Sequence, residues 1–127
     1  MKKLFSLAAL AVMFVACGNY VPKAGDAPEV VAKKCLDEFA KGEVKKFANC
    51  FRFKSEDKKK EFIEDNGEKA KKFERIGGIK SVETKLSYSI EDKARVKILV
   101  TFKNGESFDD NVDLIKINDT WYIERII

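Results

Sequence analysis

The chain has 127 residues, of which 45% are hydrophobic and 36% are charged, with a formal net charge of +4 and no histidine. This length argues for a single domain, and the balanced, interleaved charges do not form the clearly basic surface that nucleic-acid binding needs. Histidine is the usual proton shuttle near neutral pH and the commonest metal ligand. Its absence excludes Ser-His-Asp and Cys-His catalysis and most zinc sites. No catalytic residue, metal or cofactor is predicted from the sequence, and an enzyme is less expected than a binding protein.

The first 16 residues have the pattern of a signal peptide. Lys2 and Lys3 precede an apolar run from Leu4 to Val15. A run of about a dozen apolar residues is typical of a signal peptide and is shorter than the ~20 residues of a membrane-spanning helix. The run closes on Phe14-Val15-Ala16-Cys17-Gly18, which resembles the lipobox of bacterial lipoproteins, although Phe14 stands where Leu is usual.

The lipobox resemblance implies cleavage between Ala16 and Cys17 and attachment of a diacylglyceryl group to the Cys17 thiol. A further acyl chain, such as palmitate, often follows on the new amino terminus. Two or three acyl chains suffice for stable membrane anchoring. The protein is then expected in the cell envelope, with the lipid bilayer as its partner through acylated Cys17. Because Gly18 rather than Asp follows, the outer membrane is favoured over the inner one in a Gram-negative host. An ordinary secretory signal followed by a coincidental cysteine is the alternative.

Residues 17–27 are expected to form the lipidated cysteine and a flexible tether, and residues 28–127 a single domain. Asp26 and Glu29 suit the two ends of a capping box, so they predict a helix start. The helix carries an apolar stripe and ends at Gly42; the stripe consists of Val31, Cys35 and Phe39.

Two further helices are expected. The first is short and has apolar residues at helical spacing from Val44 to Phe51. The second runs from Ser55 to Arg75, is dense in charge and has a thin apolar face. Asn66-Gly67 is a candidate break within it, and Gly77-Gly78 closes it.

From Lys85 onward the pattern changes to the two-residue period of a half-buried strand. The inward positions of the first two strands are Leu86, Tyr88 and Ile90, then Val96, Ile98, Val100 and Phe102. Asn104-Gly105 follows the second strand and is a strong hairpin signal.

The third strand runs from Ser107 to Ile117. Its apolar positions change phase between Leu114 and Ile115, which predicts a β-bulge there. Asn118-Asp119 forms the next turn, before a last strand from Trp121 to Ile126. Two or three helices followed by four antiparallel strands predict an α+β fold with the helices packed on a curved meander.

This order of elements and the ending Asn-Asp-Thr-Trp-Tyr-Ile-Glu-Arg-Ile resemble the cone-shaped domain of nuclear transport factor 2 (NTF2) and ketosteroid isomerase. The mature chain as a whole resembles small bacterial lipoproteins that carry this domain. A cystatin-like domain, with one helix on a similar meander, is the competing interpretation. The resemblance implies a pocket between sheet and helices and is compatible with a dimer formed through the sheet.

Four residues are predicted to line this pocket: Tyr88, Ile98, Val100 and Trp121. Ketosteroid isomerase places a carboxylate and a tyrosine in its pocket for proton transfer. Tyr88 shares the predicted inward face, where its neighbours are apolar, so a place in the core is the favoured interpretation of this residue.

The third strand carries three carboxylates, those of Asp109, Asp110 and Asp113. A calcium loop needs oxygen ligands at alternate positions on a tight turn, whereas this stretch has the pattern of a strand. We expect these charges to face solvent or the sheet edge, with no carboxylate on the inward face.

Cys35 and Cys50 fall on consecutive helices that a short turn would make antiparallel, so their side chains can approach. Outside the cytoplasm a disulfide is one interpretation, and two buried thiols acting as small apolar side chains is the other. The absence of a Cys-x-x-Cys spacing argues against a redox role.

The sequence favours a non-enzymatic envelope lipoprotein whose domain binds a small apolar ligand, a peptide or another envelope protein. The alternative is a small isomerase-like or dehydratase-like enzyme that uses a pocket carboxylate or tyrosine. An ionisable side chain facing an open cavity would support binding of a small molecule or catalysis. If the helices instead fill the space over the sheet, the domain is expected to bind its partner through its surface.

Overall fold

The computed structural model describes residues 20–127, so the leader and the predictions for Ala16 and Cys17 lie outside the described residues. The helices and strands are α1 (Pro28–Ala40), α2 (Val44–Ala48), α3 (Glu56–Arg75), β1 (Ile79–Ile90), β2 (Lys93–Phe102), β3 (Ser107–Ile117) and β4 (Thr120–Ile126). The strands form one antiparallel sheet in the order β1-β2-β3-β4. This arrangement confirms the predicted α+β meander. None of the helices in residues 20–127 is long and apolar enough to cross a membrane.

Helix α1 begins one residue later than the capping box predicts. Its N-cap is Ala27, no side chain caps it, and Pro28 occupies the first helical position. The Asp26 carboxylate instead accepts a hydrogen bond of 2.9 Å from the Tyr20 hydroxyl, and a buried oxygen of Glu29 has no hydrogen-bond partner within the described residues. The predicted capping box is therefore wrong, because Pro28 fixes the start of the helix and Asp26 is engaged elsewhere.

The segment before α1 belongs to the folded domain from Tyr20 onward. The Tyr20 side chain is only 7% exposed and joins the apolar core, and Pro22 is also buried. Burial and the hydrogen bond to Asp26 both raise the pKa of the Tyr20 hydroxyl. Part of the segment predicted as flexible tether is thus packed, because its apolar side chains gain free energy from burial against the domain.

The sheet has an inner face toward the helices and an outer face away from them. Alternate β2 residues on the inner face are all buried, and α1 buries its own apolar stripe in the same core. These residues are Ala94, Val96, Ile98, Val100 and Phe102 in β2, and Val31, Ala32, Cys35, Leu36 and Phe39 in α1. Helix α1 and the inner face of the sheet therefore form the core of the domain together.

Tyr88 lies on the outer face, so its predicted place in the pocket or core is wrong. The pairing of β1 with β2 shifts between Leu86 and Tyr88, and Tyr88 stands opposite Arg95. Residues directly opposite in an antiparallel pair share a face, and Arg95 alternates with the buried residues of β2. The Tyr88 side chain is 43% exposed. One extra residue in a strand moves every later side chain to the other face, and alternation in sequence does not reveal it.

The bulge near the end of the sheet lies in β4 and not in β3. The pairing of β2 with β3 runs without a shift, so β3 keeps its alternation through Leu114 and Ile115. Asp113 pairs with Arg125 and Leu114 with Ile123, which leaves Glu124 as the extra residue. The predicted phase change in β3 is therefore wrong: Leu114 is buried and Ile115 lies on the outer face.

Helix α3 is continuous through Asn66-Gly67, and the Ser55 hydroxyl caps it by accepting a hydrogen bond of 3.2 Å from the Lys58 amide. None of its 20 residues is fully buried. It touches the core through the partly buried residues Phe62, Ala70 and Phe73. The helix is therefore held over the sheet by a narrow apolar stripe.

In the structure a disulfide joins Cys35 of α1 to Cys50, which follows α2, with their Cα atoms 6.2 Å apart. The Cys50 carbonyl accepts a hydrogen bond of 2.8 Å from the Ile123 amide. Phe51 and Ile123 form an isolated parallel bridge at this point. The disulfide thus links α1 to the end of α2, and the hydrogen bond at Cys50 links both to the β4 edge.

We predict that the Cys35→Ala/Cys50→Ala double variant loses about 3 kcal/mol of unfolding free energy, because the bridge closes a loop of about 15 residues in the unfolded chain. Urea denaturation of the domain, with and without reductant, measures the loss. Reductant should not change the unfolding free energy of the double variant. It should lower the unfolding free energy of the unsubstituted protein toward the value of the variant. Two free thiols in the denatured, unreduced protein would contradict the bridge.

Candidate functional site

A cleft of about 170 Å³ lies between α3 and the part of the inner sheet face near the β2–β3 turn. Its wall is mostly apolar, with contributions from α1, α2, α3 and all four strands. The apolar lining consists of Leu36, Phe39, Phe47, Phe73, Ile79, Val82, Ile98, Val100, Phe108 and Ile126. The cleft exists because the narrow apolar stripe of α3 leaves this part of the sheet incompletely covered.

Aromatic contacts support one wall of the cleft. The Phe73 ring of α3 lies 5.8 Å from Phe39, 5.2 Å from Phe102 and 6.2 Å from Phe108, measured between ring centroids. The contacts with Phe39 and Phe102 are edge-on, an arrangement that aromatic rings favour. Phe73 therefore connects α3 to α1 and to the sheet, and these contacts fix the position of the cleft wall.

Three polar side chains line the cleft. Asn66 and Lys69 belong to α3, and Asp110 belongs to β3. The Asn66 amide nitrogen donates a hydrogen bond of 2.9 Å to the Phe62 carbonyl, which fixes the orientation of this side chain. The cleft thus offers a carboxylate, an ammonium group and an amide within an apolar surface, the combination typical of a binding site.

The expectation that no carboxylate lies on the inward face is wrong at Asp110. Asp110 stands directly opposite Ile98 of β2, and both residues line the cleft. The predicted bulge within β3 left the phase of Asp110 undefined. Continuing the alternation backward from Val112 and Leu114 would have placed it on the inner face.

A second concave surface, which we call the β4 groove, adjoins the cleft and measures about 570 Å³. It shares Phe47, Asn66, Lys69 and Ile126 with the cleft. A further wall consists of Phe51, Phe53 and Phe62, whose ring centroids lie 4.6 to 6.1 Å apart. At its rim the Arg52 guanidinium lies 5.3 Å above the ring of Tyr122. A ligand in the cleft can therefore extend over an aromatic surface with charged edges.

Two of the four residues predicted to line the pocket do so. Ile98 and Val100 are each 3% exposed and contribute to the cleft wall. Trp121 is buried in the core but does not line the cleft, and Lys116 lies over its ring. Tyr88 is on the opposite face of the sheet.

The outer face carries an ion-pair cluster around Asp113. Its carboxylate accepts hydrogen bonds of 2.7 and 3.0 Å from Arg95 and lies 3.1 Å from Arg125. The hydrogen bonds from Arg95 hold the pKa of Asp113 below its usual range, with a smaller contribution from Arg125. Both carboxylate oxygens of Asp113 thus pair with arginines of the neighbouring strands. This pairing compensates for burial of the charge, and Asp113 is only 5% exposed.

We predict that Asp113→Asn lowers the unfolding free energy at pH 7 by about 1.5 to 3 kcal/mol, the range for hydrogen bonds to charged groups. Because the folded-state pKa is lowered, the stabilisation is present above the unfolded pKa of about 3.9 and is lost as the pH falls through the folded value. Urea denaturation from pH 7 to pH 2.5 should show the two proteins converging at acidic pH. Asp109→Asn, on the same face and exposed, is the control and should change stability little; an equal loss there would contradict the account.

The fold defines the class of protein. Among solved structures, the chain is similar to a protein from Campylobacter jejuni described as a candidate NTF2-like transpeptidase, with 27% sequence identity and a TM-score of 0.65. The similarity covers 77% of this chain and 97% of the other one. Together with the three helices within residues 20–127, this confirms the NTF2-like fold over a cystatin-like domain with one helix.

The sequence family is also defined. Residues 15–124 match the family model described as Domain of unknown function (DUF4878). The chain therefore belongs to the DUF4878 family. No curated protein matches the sequence significantly.

Proposed function

We propose that this protein is an envelope lipoprotein whose NTF2-like domain binds a partner by taking one apolar group of it into the cleft under α3. The observation that carries the proposal is the incompletely filled inner face of the sheet, where apolar walls adjoin Asp110, Asn66 and Lys69. The proposal has two parts, a membrane anchor at Cys17 and a binding site in the domain. Each part has its own test.

The size of the cleft restricts its occupant. An engineered apolar cavity of about 150 Å³ binds benzene, whereas sites for drug-sized ligands measure about 300 to 1,000 Å³. A cleft of about 170 Å³ therefore suits one aromatic ring or one large aliphatic side chain. The rest of a larger partner would lie in the β4 groove. This division favours a peptide or protein that inserts a side chain, or a small molecule with one ring.

The polar groups orient the occupant. A buried hydrogen-bonding group on a ligand loses its water, so it binds well only where a protein group replaces that water. Asp110 can pair with a donor or a cation, and Lys69 can pair with an acceptor or an anion. Burial of the apolar group would supply most of the affinity, and these two side chains would select its attached polar group.

A proton-transfer enzyme is the second candidate, and the observation in its favour is Asp110 within an apolar cleft. A carboxylate near apolar walls can act as the general base of such a site. The resemblance to ketosteroid isomerase also implies a phenol beside the carboxylate, but Tyr88 lies on the outer face. Binding is therefore the better supported function.

Acyl transfer, suggested by the description of the Campylobacter jejuni protein, receives less support from this chain. Such a reaction needs an activated nucleophile. The chain has no histidine, and Cys35 and Cys50 are joined to each other. Ser55 and Lys58 have a Ser-x-x-Lys spacing, but the Ser55 hydroxyl caps α3 and both residues are exposed, away from the cleft.

We predict that indole, used as a probe with a single ring system, binds the soluble domain in the cleft. Val100→Phe, which adds a ring to the cleft wall, should weaken indole binding at least tenfold, about 1.4 kcal/mol. Leu99→Phe is the matched control, because the adjacent residue lies on the outer face, and its affinity should be unchanged. Binding is measured by titration while amide NMR signals are recorded.

The NMR signals also locate the probe. Shifts should concentrate on residues 66–73 and 108–110, and a thermal melt should confirm that both variants fold. Asp110→Asn keeps the cleft volume and should bind indole with nearly unchanged affinity. Absence of binding to the unsubstituted domain, or shifts confined to the outer face, would reject the cleft as the site.

We predict that Cys17→Ala abolishes membrane attachment and leaves an unprocessed or soluble protein. Incorporation of labelled palmitate and membrane fractionation measure the effect in the bacterial host. Cys35→Ala, which leaves the lipobox intact, is the control and should still be lipidated. Normal fractionation of Cys17→Ala would reject the lipoprotein assignment without affecting the cleft.

A further inference from the structure

We infer that the anchor holds the domain with its β3–β4 turn at the bilayer surface and with the cleft directed away from it. The inference rests on the proposed lipidation of Cys17. It assigns the region around Tyr20 and residues 118–119 as the surface that faces lipid headgroups. It also implies that the partner of the cleft comes from the aqueous side.

The first step is the short distance between the anchor and the folded domain. Tyr20 is 7% exposed, its hydroxyl donates to Asp26, and the Lys34 ammonium lies 5.2 Å from the centre of its ring. Only Gly18 and Asn19 separate Tyr20 from Cys17. Three residue steps span at most about 11 Å even when fully extended. Tyr20 is therefore held within about 11 Å of the acylated cysteine, so this part of the domain stays beside the lipid.

The second step identifies the part of the domain beside Tyr20. The Gly25 amide donates a hydrogen bond of 3.4 Å to the carbonyl of Asp119 in the β3–β4 turn. Gly25 immediately precedes Asp26, which holds Tyr20. The buried N-terminal segment thus connects the anchor to this end of the sheet, which we call the anchor end.

The third step places the cleft at the other end of the sheet. The strand β3 runs from the cleft residues Phe108 and Asp110 to Ile117 beside the β3–β4 turn. Nine residue steps along a strand, from Phe108 to Ile117, extend about 30 Å. A short anchor at one end of such a sheet holds the β2–β3 turn and the adjoining cleft far from the bilayer. The cleft is therefore accessible to a soluble or membrane-distal partner.

Two strand-starting residues provide matched probes of this orientation. Thr120 begins β4 at the anchor end, and Ser107 begins β3 at the cleft end. Thr120→Cys and Ser107→Cys each replace a hydroxyl with a thiol, and the other cysteines are occupied by acylation or by the disulfide. The mature full chain, purified from membranes, is labelled with a thiol-reactive fluorophore and reconstituted into phospholipid vesicles containing lipids with a nitroxide on the headgroup.

We expect the nitroxide lipids to remove most of the fluorescence at Thr120→Cys and almost none at Ser107→Cys. Equal quenching at the two positions, or stronger quenching at Ser107→Cys, would overturn the orientation even though the chain is anchored. Flotation of the vesicles separates this outcome from failure of the proposed function. A chain that does not float with the vesicles has no anchor, and that result would reject both the lipoprotein assignment and the orientation.

Discussion

The structure depends on how the inner face of the sheet is covered. Helix α1 brings an apolar stripe to this face and buries it completely at Val31, Ala32 and Cys35. Helix α3 cannot do the same, because charged residues occupy most of its surface and none of its residues is fully buried. The unequal cover gives the domain a solid core under α1 and a cleft under α3. Core and candidate site are therefore two consequences of one constraint.

The remaining contacts reinforce this division. The Cys35–Cys50 disulfide and the hydrogen bond from Ile123 to Cys50 tie α1 and the end of α2 to the β4 edge. On the outer face, Asp113 joins β2, β3 and β4 through its two arginine partners. By contrast, α3 is held chiefly by the contacts of Phe62, Ala70 and Phe73, which a ligand could displace more easily than the core. The domain thus combines a sheet held by many contacts with one helix held by few, an arrangement suited to admitting a ligand.

The sequence was sufficient for the order of the elements and for much of the core. The alternation in β2 predicted the inward positions of Ile98 and Val100 because β2 is regular along its length. It failed at Tyr88 because the bulge in β1 depends on pairing with another strand, and it misplaced Asp110 because the extra residue lies in β4 instead of β3. The packing of Tyr20 was missed because Pro22 and Gly25 have the composition of a linker, whereas burial depends on the surface that the segment meets in the folded domain. The period within one segment could thus be predicted from the sequence, whereas the register between strands could not.

The central claim is that the inner face of the sheet is open beneath α3. Xenon enters apolar cavities of this kind, so a crystal structure of the domain under xenon pressure tests the claim most directly. The account predicts xenon in the cleft, against the wall that Phe73 and Phe108 form, and little displacement of α1. A structure in which α3 closes on the sheet, with Phe73 filling the space and no xenon bound there, would contradict it.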